Sequence, residues 1–310
     1  MGEKTRAYMR MKEDVLPGYY REPLALGQKG LEDILEKGKR VDLGKTLAAG
    51  GSAIFPHTYI SKCGHQIASV VHGCLDSGSD QVVVLGVIHP LTDPLLVSRT
   101  KEINGEDISQ ESCWGVLGPG IDRDSCWHDE FSLYMFETLW DAEVRRRGIK
   151  PPRLIKRYPC LANRSPETLP GIDELASLSK DSVVVATSDL CHHGVAYGLT
   201  EEESVPIGEE ALSLASEEIQ GAFEALESKN YKDYYDACLN PQSLSDSLDV
   251  APVLRHLLGP KTAHIFDLTL VDVAHMFEGN PVPSWVAASL VEFKPKLPST
   301  SHLNRSTRNN

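Results

Sequence analysis

Residues Val82–Asp93 read VVVLGVIHPLTD. Val82 to Leu85 form an aliphatic, mostly β-branched run with no polar alternation, the composition of a strand covered on both faces, as in a parallel sheet. The run stops at Gly86 and delivers His89 three residues later. Two other stretches follow the same plan. Ala53-Ile54-Phe55 ends in Pro56-His57, and Val183 to Ala186 leads into Ser188-Asp189-Leu190-Cys191-His192-His193-Gly194. Ligands of open α/β sheets lie just outside the carboxyl ends of such strands. Three strand ends bearing histidine therefore predict an α/β fold with one site at that edge.

The neighbouring stretches supply the helices. Leu31, Ile34 and Leu35 have helical spacing within 31–39, and Ile67, Val70, Val71 and Cys74 share one face of a helix over 64–75. A strand at 48–55, that helix and the strand at 82–85 predict a right-handed parallel unit. Residues 98–127 are polar and glycine-bearing and predict a long loop or hairpin near the site, with a short strand at Trp114–Leu117. Asp129–Arg147 reads as the most regular helix, its Phe131, Met135 and Leu139 in one stripe. Further helices are predicted at 169–179, 201–228, 231–238 and 246–258, and strands at 153–158, 182–186, 262–271 and 286–293. Tyr19 and Tyr20 are expected to pack on the body of the fold. The expected organisation is a single domain over 1–293, a sandwich around a mostly parallel or mixed sheet, with a Pro/Ser/Asn-rich disordered tail over 294–310.

The chain has 310 residues, 41% hydrophobic and 24% charged, an ordinary globular composition. Its formal charge of −13 argues against a nucleic-acid or acidic-membrane surface, both of which need a basic patch. The one dense basic run, Arg145-Arg146-Arg147, closes a helix and complements its dipole. No apolar run approaches the ~20 residues that span a bilayer. The first residues lack the apolar segment of a signal peptide, and Arg6 breaks the myristoylation pattern. Seven irregularly spaced cysteines, without C-x-x-C, fit a reducing compartment. The expectation is a soluble, cytoplasmic protein, compatible with a homo-oligomer.

Of eleven histidines, His57, His89, His192 and His193 sit where core packing does not call for them. Neutral imidazole suits Fe, Zn, Cu and Ni. A carboxylate would complete a two-histidine, one-acid Fe(II) set with open positions. Asp246 and Asp249 are the candidates, although Asp246 is equally suited to capping the following helix. Asp129 and Glu130 are weaker candidates, because first-turn acids simply favour the helix dipole. Asp189, three residues before His192, could orient that ring as a general acid/base. Cys191 reads as a packed thiol rather than a nucleophile. Nucleotide-binding glycine loops, G-x-S-x-G and H-E-x-x-H are absent from the sequence.

Together Pro56-His57, Leu85-Gly86-Val87-Ile88-His89 and Ser188-Asp189-Leu190-Cys191-His192-His193-Gly194 resemble the Memo family, whose patterns are P-H-A-G-Y, L-G-P-S-H-H and S-S-D-F-C-H-W-G. That family shares its fold with the class III (LigB-type) extradiol dioxygenases. Leu16-Pro17-Gly18-Tyr19-Tyr20 and Trp285 to Leu290 resemble the family's opening and close, so the likeness runs from about residue 9 to 293. The resemblance implies an α/β sandwich with its pocket at the strand ends. It implies His57 and His89 as metal ligands and His192 as a pocket histidine. Counting back from the matching late helix puts Asp246 at the family's cysteine ligand and Asp249 at its second histidine. The family's E-H-S triplet reads Glu130-Phe131-Ser132, and its second L-G-P-S-H-H histidine is Pro90.

These readings lead to a non-haem Fe(II) oxygenase. It would act on a catechol or aminophenol-like substrate and dioxygen, with metal ligands His57, His89 and Asp246 (Asp249 as alternative), and His192 with Asp189 moving the substrate proton. Zn or Cu are the alternative metals. The rival readings are a non-catalytic, Memo-like metal- or peptide-binding signalling protein and a zinc hydrolase.

Overall fold

The computed structural model describes residues 16–121 and 123–295. A mixed eight-stranded sheet divides the molecule into two packed layers. Its parallel centre comprises β1 (Ser52–Phe55), β2 (Gln81–Leu85), β4 (Arg153–Cys160) and β5 (Val183–Thr187), in the spatial order β4-β2-β5-β1. The short strand β3 (Gly115–Leu117) pairs antiparallel with β4 at one end. At the other, β8 (Ser284–Pro295) pairs antiparallel with β1, with β6 (His192–Gly194) and with β7 (Lys261–Asp272).

The alternation of side chains along each central strand explains the apolar runs. Val82 and Val84 face one core with Ala53, Phe55, Val183 and Val185. Val83 and Leu85 face the other with Ile54, Val184 and Ala186. Both faces are covered, so no position of Val82–Leu85 is free for a polar residue, and all four are fully buried. The first layer holds α1 (Leu16–Gly38), α3 (Ile60–Asp76) and α5 (Tyr134–Arg147), with the short α2 (Gly44–Ala48) beside them. The second holds α6 (Ile172–Ser179), α7 (Glu209–Glu227), α8 (Tyr231–Cys238) and α9 (Val250–Leu258). Tyr19 is buried, its ring edge-on to Phe131 with centroids 4.9 Å apart, whereas Tyr20 lies at the surface against Tyr134.

Several expectations change. The strand expected from residue 48 starts at Ser52, because Gly44–Ala48 is α2. β1 and β2 are parallel, but β5 lies between them, so they are not adjacent in the sheet. The centre alone is parallel, and four antiparallel strands make the sheet mixed. The presumed loop at 98–127 begins as helix, α4 (Asp93–Ile103), and the strand near Trp114 is β3. The helix expected from Asp129 begins at Tyr134, because Glu130 folds back to accept from the backbone N–H groups of Phe131 and Ser132, both at 2.8 Å. The acidic helix expected from 201 begins at Glu209. The domain's last strand runs through Pro295, and the rest of the expected tail lies outside the described residues. Among the described residues, no helix is long and apolar enough to cross a membrane.

Gly194 ends β6 at φ 112°, and a Cβ there would stand 2.1 Å from the Pro283 carbonyl oxygen. Strain and overlap together predict that Gly194→Ala destabilises the protein by about 3 kcal/mol. A denaturant-unfolding midpoint unchanged by the substitution would contradict this.

Candidate metal centre

The loops after β1, β2 and β5 bring His57, His89 and Asp189 together at the carboxyl edge of the sheet. Asp246 arrives from the loop between α8 and α9, and that loop is fixed by its own backbone. The Leu244 carbonyl accepts from the His192 N–H at 2.6 Å, and the Asp246 N–H reaches the Asp189 carbonyl at 3.4 Å. Asp246 Oδ1 then accepts from Ser188 Oγ at 2.6 Å and from the Asp189 N–H at 2.9 Å. Its other oxygen, Oδ2, is turned towards the histidines.

Each of three imidazoles is held by its Nδ1. His89 Nδ1 donates to Glu130 Oε1 at 2.9 Å, and Glu130 Oε2 takes the His89 backbone N–H at 2.6 Å. His57 Nδ1 donates to Thr187 Oγ1 at 3.1 Å, since that hydroxyl gives its own proton to the Phe55 carbonyl at 3.0 Å. His192 Nδ1 donates to the Leu244 carbonyl at 2.9 Å. Carbonyl and carboxylate partners only accept, so these bonds place the proton on Nδ1 and leave the Nε2 lone pair for a ligand. Phe131 stacks on His89 with centroids 4.4 Å apart and fixes the plane of its ring.

The Nε2 atoms of His57 and His89 stand 3.1 and 3.7 Å from Asp246 Oδ2. Neither approach has hydrogen-bond alignment, and Oδ2 is buried without a hydrogen-bond partner. An orphaned carboxylate oxygen beside two imidazole lone pairs lacks a cation. Donors about 2.1 Å from a metal lie about 3.0 to 3.4 Å apart at octahedral or tetrahedral angles, close to the spacings found. The donor set therefore fits a metal ion. Asp189, His192 and Asp246 form a second, looser group whose ligand atoms lie within 4.8 Å of one another.

The charges agree with this. Burial opposes protonation of His57, but Asp189 and Asp246 outweigh it and raise its pKa. Burial likewise opposes charge on His89, yet Glu130 and Asp246 raise its pKa to about 10. Burial favours neutral Asp246, but His57, His89 and His192 hold its carboxyl far below the usual carboxylate range. Glu130 is also lowered against its burial, by His89 and by the N–H groups it accepts. Burial raises Asp189, and neighbouring Asp246 adds to the shift. The pocket is built to hold positive charge.

Other residues take different roles from those expected. Asp249, the alternative ligand, is taken up elsewhere. Its Oδ2 pairs with Arg99 at 2.5 Å and its Oδ1 accepts from the Ala162 N–H at 2.7 Å, in a buried cluster that also includes Glu102. Asp246 does not cap the late helix, whose N-cap position is Asp249. Asp189 does not fix the His192 tautomer. It accepts from the His57 N–H at 3.1 Å, while Leu244 holds His192. His193 is a core residue, bonded through Nδ1 to the Gln242 carbonyl and through Nε2 to the Val205 N–H, and stacked on Trp285. Cys191 is fully buried and its thiol is pushed up to about 12 by burial, as suits a packed side chain. Glu130 is neither a ligand nor a first-turn acid but the support of His89. The available signal was the E-F-S triplet standing where the family pattern has E-H-S.

Three outcomes are expected. Glu130→Gln removes the carboxylate behind His89 and lowers metal affinity roughly 10- to 100-fold, measured by metal titration. Asp249→Asn leaves metal stoichiometry unchanged but lowers stability by about 3 kcal/mol, since it removes one of the two carboxylates that pair with the buried Arg99. In the metal-free protein, the folded-state pKa of His89 lies above the unfolded value of about 6.5. Its charge interactions thus stabilise the fold fully below about pH 6.5 and are lost as pH rises through about 10. Metal competes with that proton, so affinity increases over the same range. Metal affinity that does not change with pH would contradict the assignment of His89.

A scan against protein-family models and a search of curated proteins found no match for this chain.

Proposed function

We propose that this protein is a non-haem Fe(II)-dependent oxygenase of the extradiol type, related to the Memo family and the class III dioxygenases, acting on a catechol or aminophenol-like molecule. The observation that carries the reading is the convergence of His57 Nε2, His89 Nε2 and Asp246 Oδ2, two histidines and one carboxylate. That donor set, with no thiolate, suits non-haem Fe(II) and leaves coordination positions open. Bound iron would supply adjacent positions for a chelating substrate and dioxygen, and a path for charge between them.

The chain's own residues would do the remaining work. His192 lies beside the centre with Nδ1 anchored on Leu244, which leaves Nε2 free to take a substrate hydroxyl proton. It is partly exposed, whereas His57 and His89 are 3% and 5% exposed. Substrate would therefore arrive on the His192 side. Asp189 holds the turn after β1 through the His57 N–H and places negative charge 3.8 Å from His57 Nε2. Phe131 lays apolar surface against His57 and His89, which excludes water from the ligands.

The burial of both histidine ligands also suits a protein that stores or senses a metal without turnover, a Memo-like binding role. Oxygen uptake separates the two. Protein reconstituted anaerobically with Fe(II) should consume dioxygen with at least one member of a catechol and aminophenol panel. Asp246→Ala should lose both iron and uptake, while His192→Ala should keep iron and lose most of the rate, by about 10²–10⁴-fold. Stoichiometric iron with no uptake across the panel would favour the binding role. Full iron retention in Asp246→Ala would overturn the ligand assignment.

A further inference from the structure

Glu130, Asp189 and Asp246 bring three buried or nearly buried carboxylates to one pocket, and their only ion-pair partners among the described residues are histidines. Among the described residues, no lysine or arginine side chain pairs with any of them. One divalent ion leaves this cluster with a net negative charge, which in a low-dielectric site calls for a further cation. The geometry provides a place for one. Asp189, His192 and Asp246 each offer a ligand atom, all within 4.8 Å of one another, and Asp246 belongs to both groups. Its Oδ1 already accepts two hydrogen bonds, so the orphaned Oδ2 is the oxygen available for sharing.

We propose that the centre holds a second divalent cation, ligated by Asp189 and His192 and bridged to the first by Asp246. This rests on the metal-centre reading above and adds a regulatory property to it. The second ion is the weaker and outer one, since His192 is partly exposed while both histidines of the first are buried. It occupies the Nε2 lone pair that would otherwise take the substrate proton. Excess divalent metal therefore inhibits the enzyme by loading its proton acceptor. Ions sharing one carboxylate oxygen lie close, at ~3.5–4 Å in two-metal sites.

Mn(II) is the probe, since it accepts oxygen and imidazole ligands and is paramagnetic. Equilibrium dialysis of the full chain under anaerobic conditions should give about two Mn(II) per chain, one tight and one weak. Electron paramagnetic resonance of the doubly loaded protein should show an exchange-coupled pair. His192→Ala should reduce binding to about one ion and abolish the coupling. Asp189→Asn, which keeps an oxygen for the His57 N–H, should weaken the second ion at least ~10-fold and serves as the second variant if His192→Ala misfolds. Saturation at one ion, two uncoupled ions, or a second ion indifferent to both substitutions would overturn the second position alone. Binding of no ion at all would overturn the primary centre as well.

Discussion

Asp246 uses its two carboxylate oxygens for different purposes, and the site depends on that division. Oδ1 is spent on the end of β5, where Ser188 and Asp189 donate to it. Oδ2 is thereby aimed at His57 and His89 and left without a hydrogen bond. A carboxylate on an unanchored loop would rotate towards any nearby donor. Here the loop is stitched to β6 and to the β5 end through the Leu244 and Asp189 carbonyls, so its rotation is blocked. The orphaned oxygen is a stored electrostatic demand, which a proton or a metal ion satisfies.

The same arrangement explains why the histidines point as they do. Each Nδ1 proton has a fixed acceptor of a different kind: a carboxylate for His89, a hydroxyl for His57 and a carbonyl for His192. The acceptors come from separate parts of the chain, so no single substitution frees all three rings. The carboxylate behind His89 also makes that nitrogen the most basic donor of the three by position.

How much of this was legible depended on the range of the interactions. The strand Val82–Leu85 was readable because burial on both faces restricts composition residue by residue. His57 and His89 were readable because they follow such strands directly. Asp246 could not be separated from Asp249 by local pattern, as both precede the same helix. Arg99, about 150 positions away in the chain, is what removes Asp249 from the site. The role of Glu130 is hidden from local pattern for the same reason. Its hydrogen bonds to His89 cross 41 residues, and its backbone contacts to Phe131 and Ser132 delay the helix that periodicity alone would start at Asp129. The three residues of β6, His-His-Gly, have no strand-like composition and are extended because β8 and Leu244 pair with them.

That pairing gives β8 the character of a ruler. Ser284, Trp285 and Val286 hold the strand bearing His192, while Val291, Glu292 and Phe293 hold the strand leading to His57. The separation of His192 from His57 is thus measured out by the few residues between these two registers, at about 3.4 Å each. An insertion or deletion there would shift one histidine past the other without touching either. The dimension of the pocket is written in a strand that contributes no ligand to it.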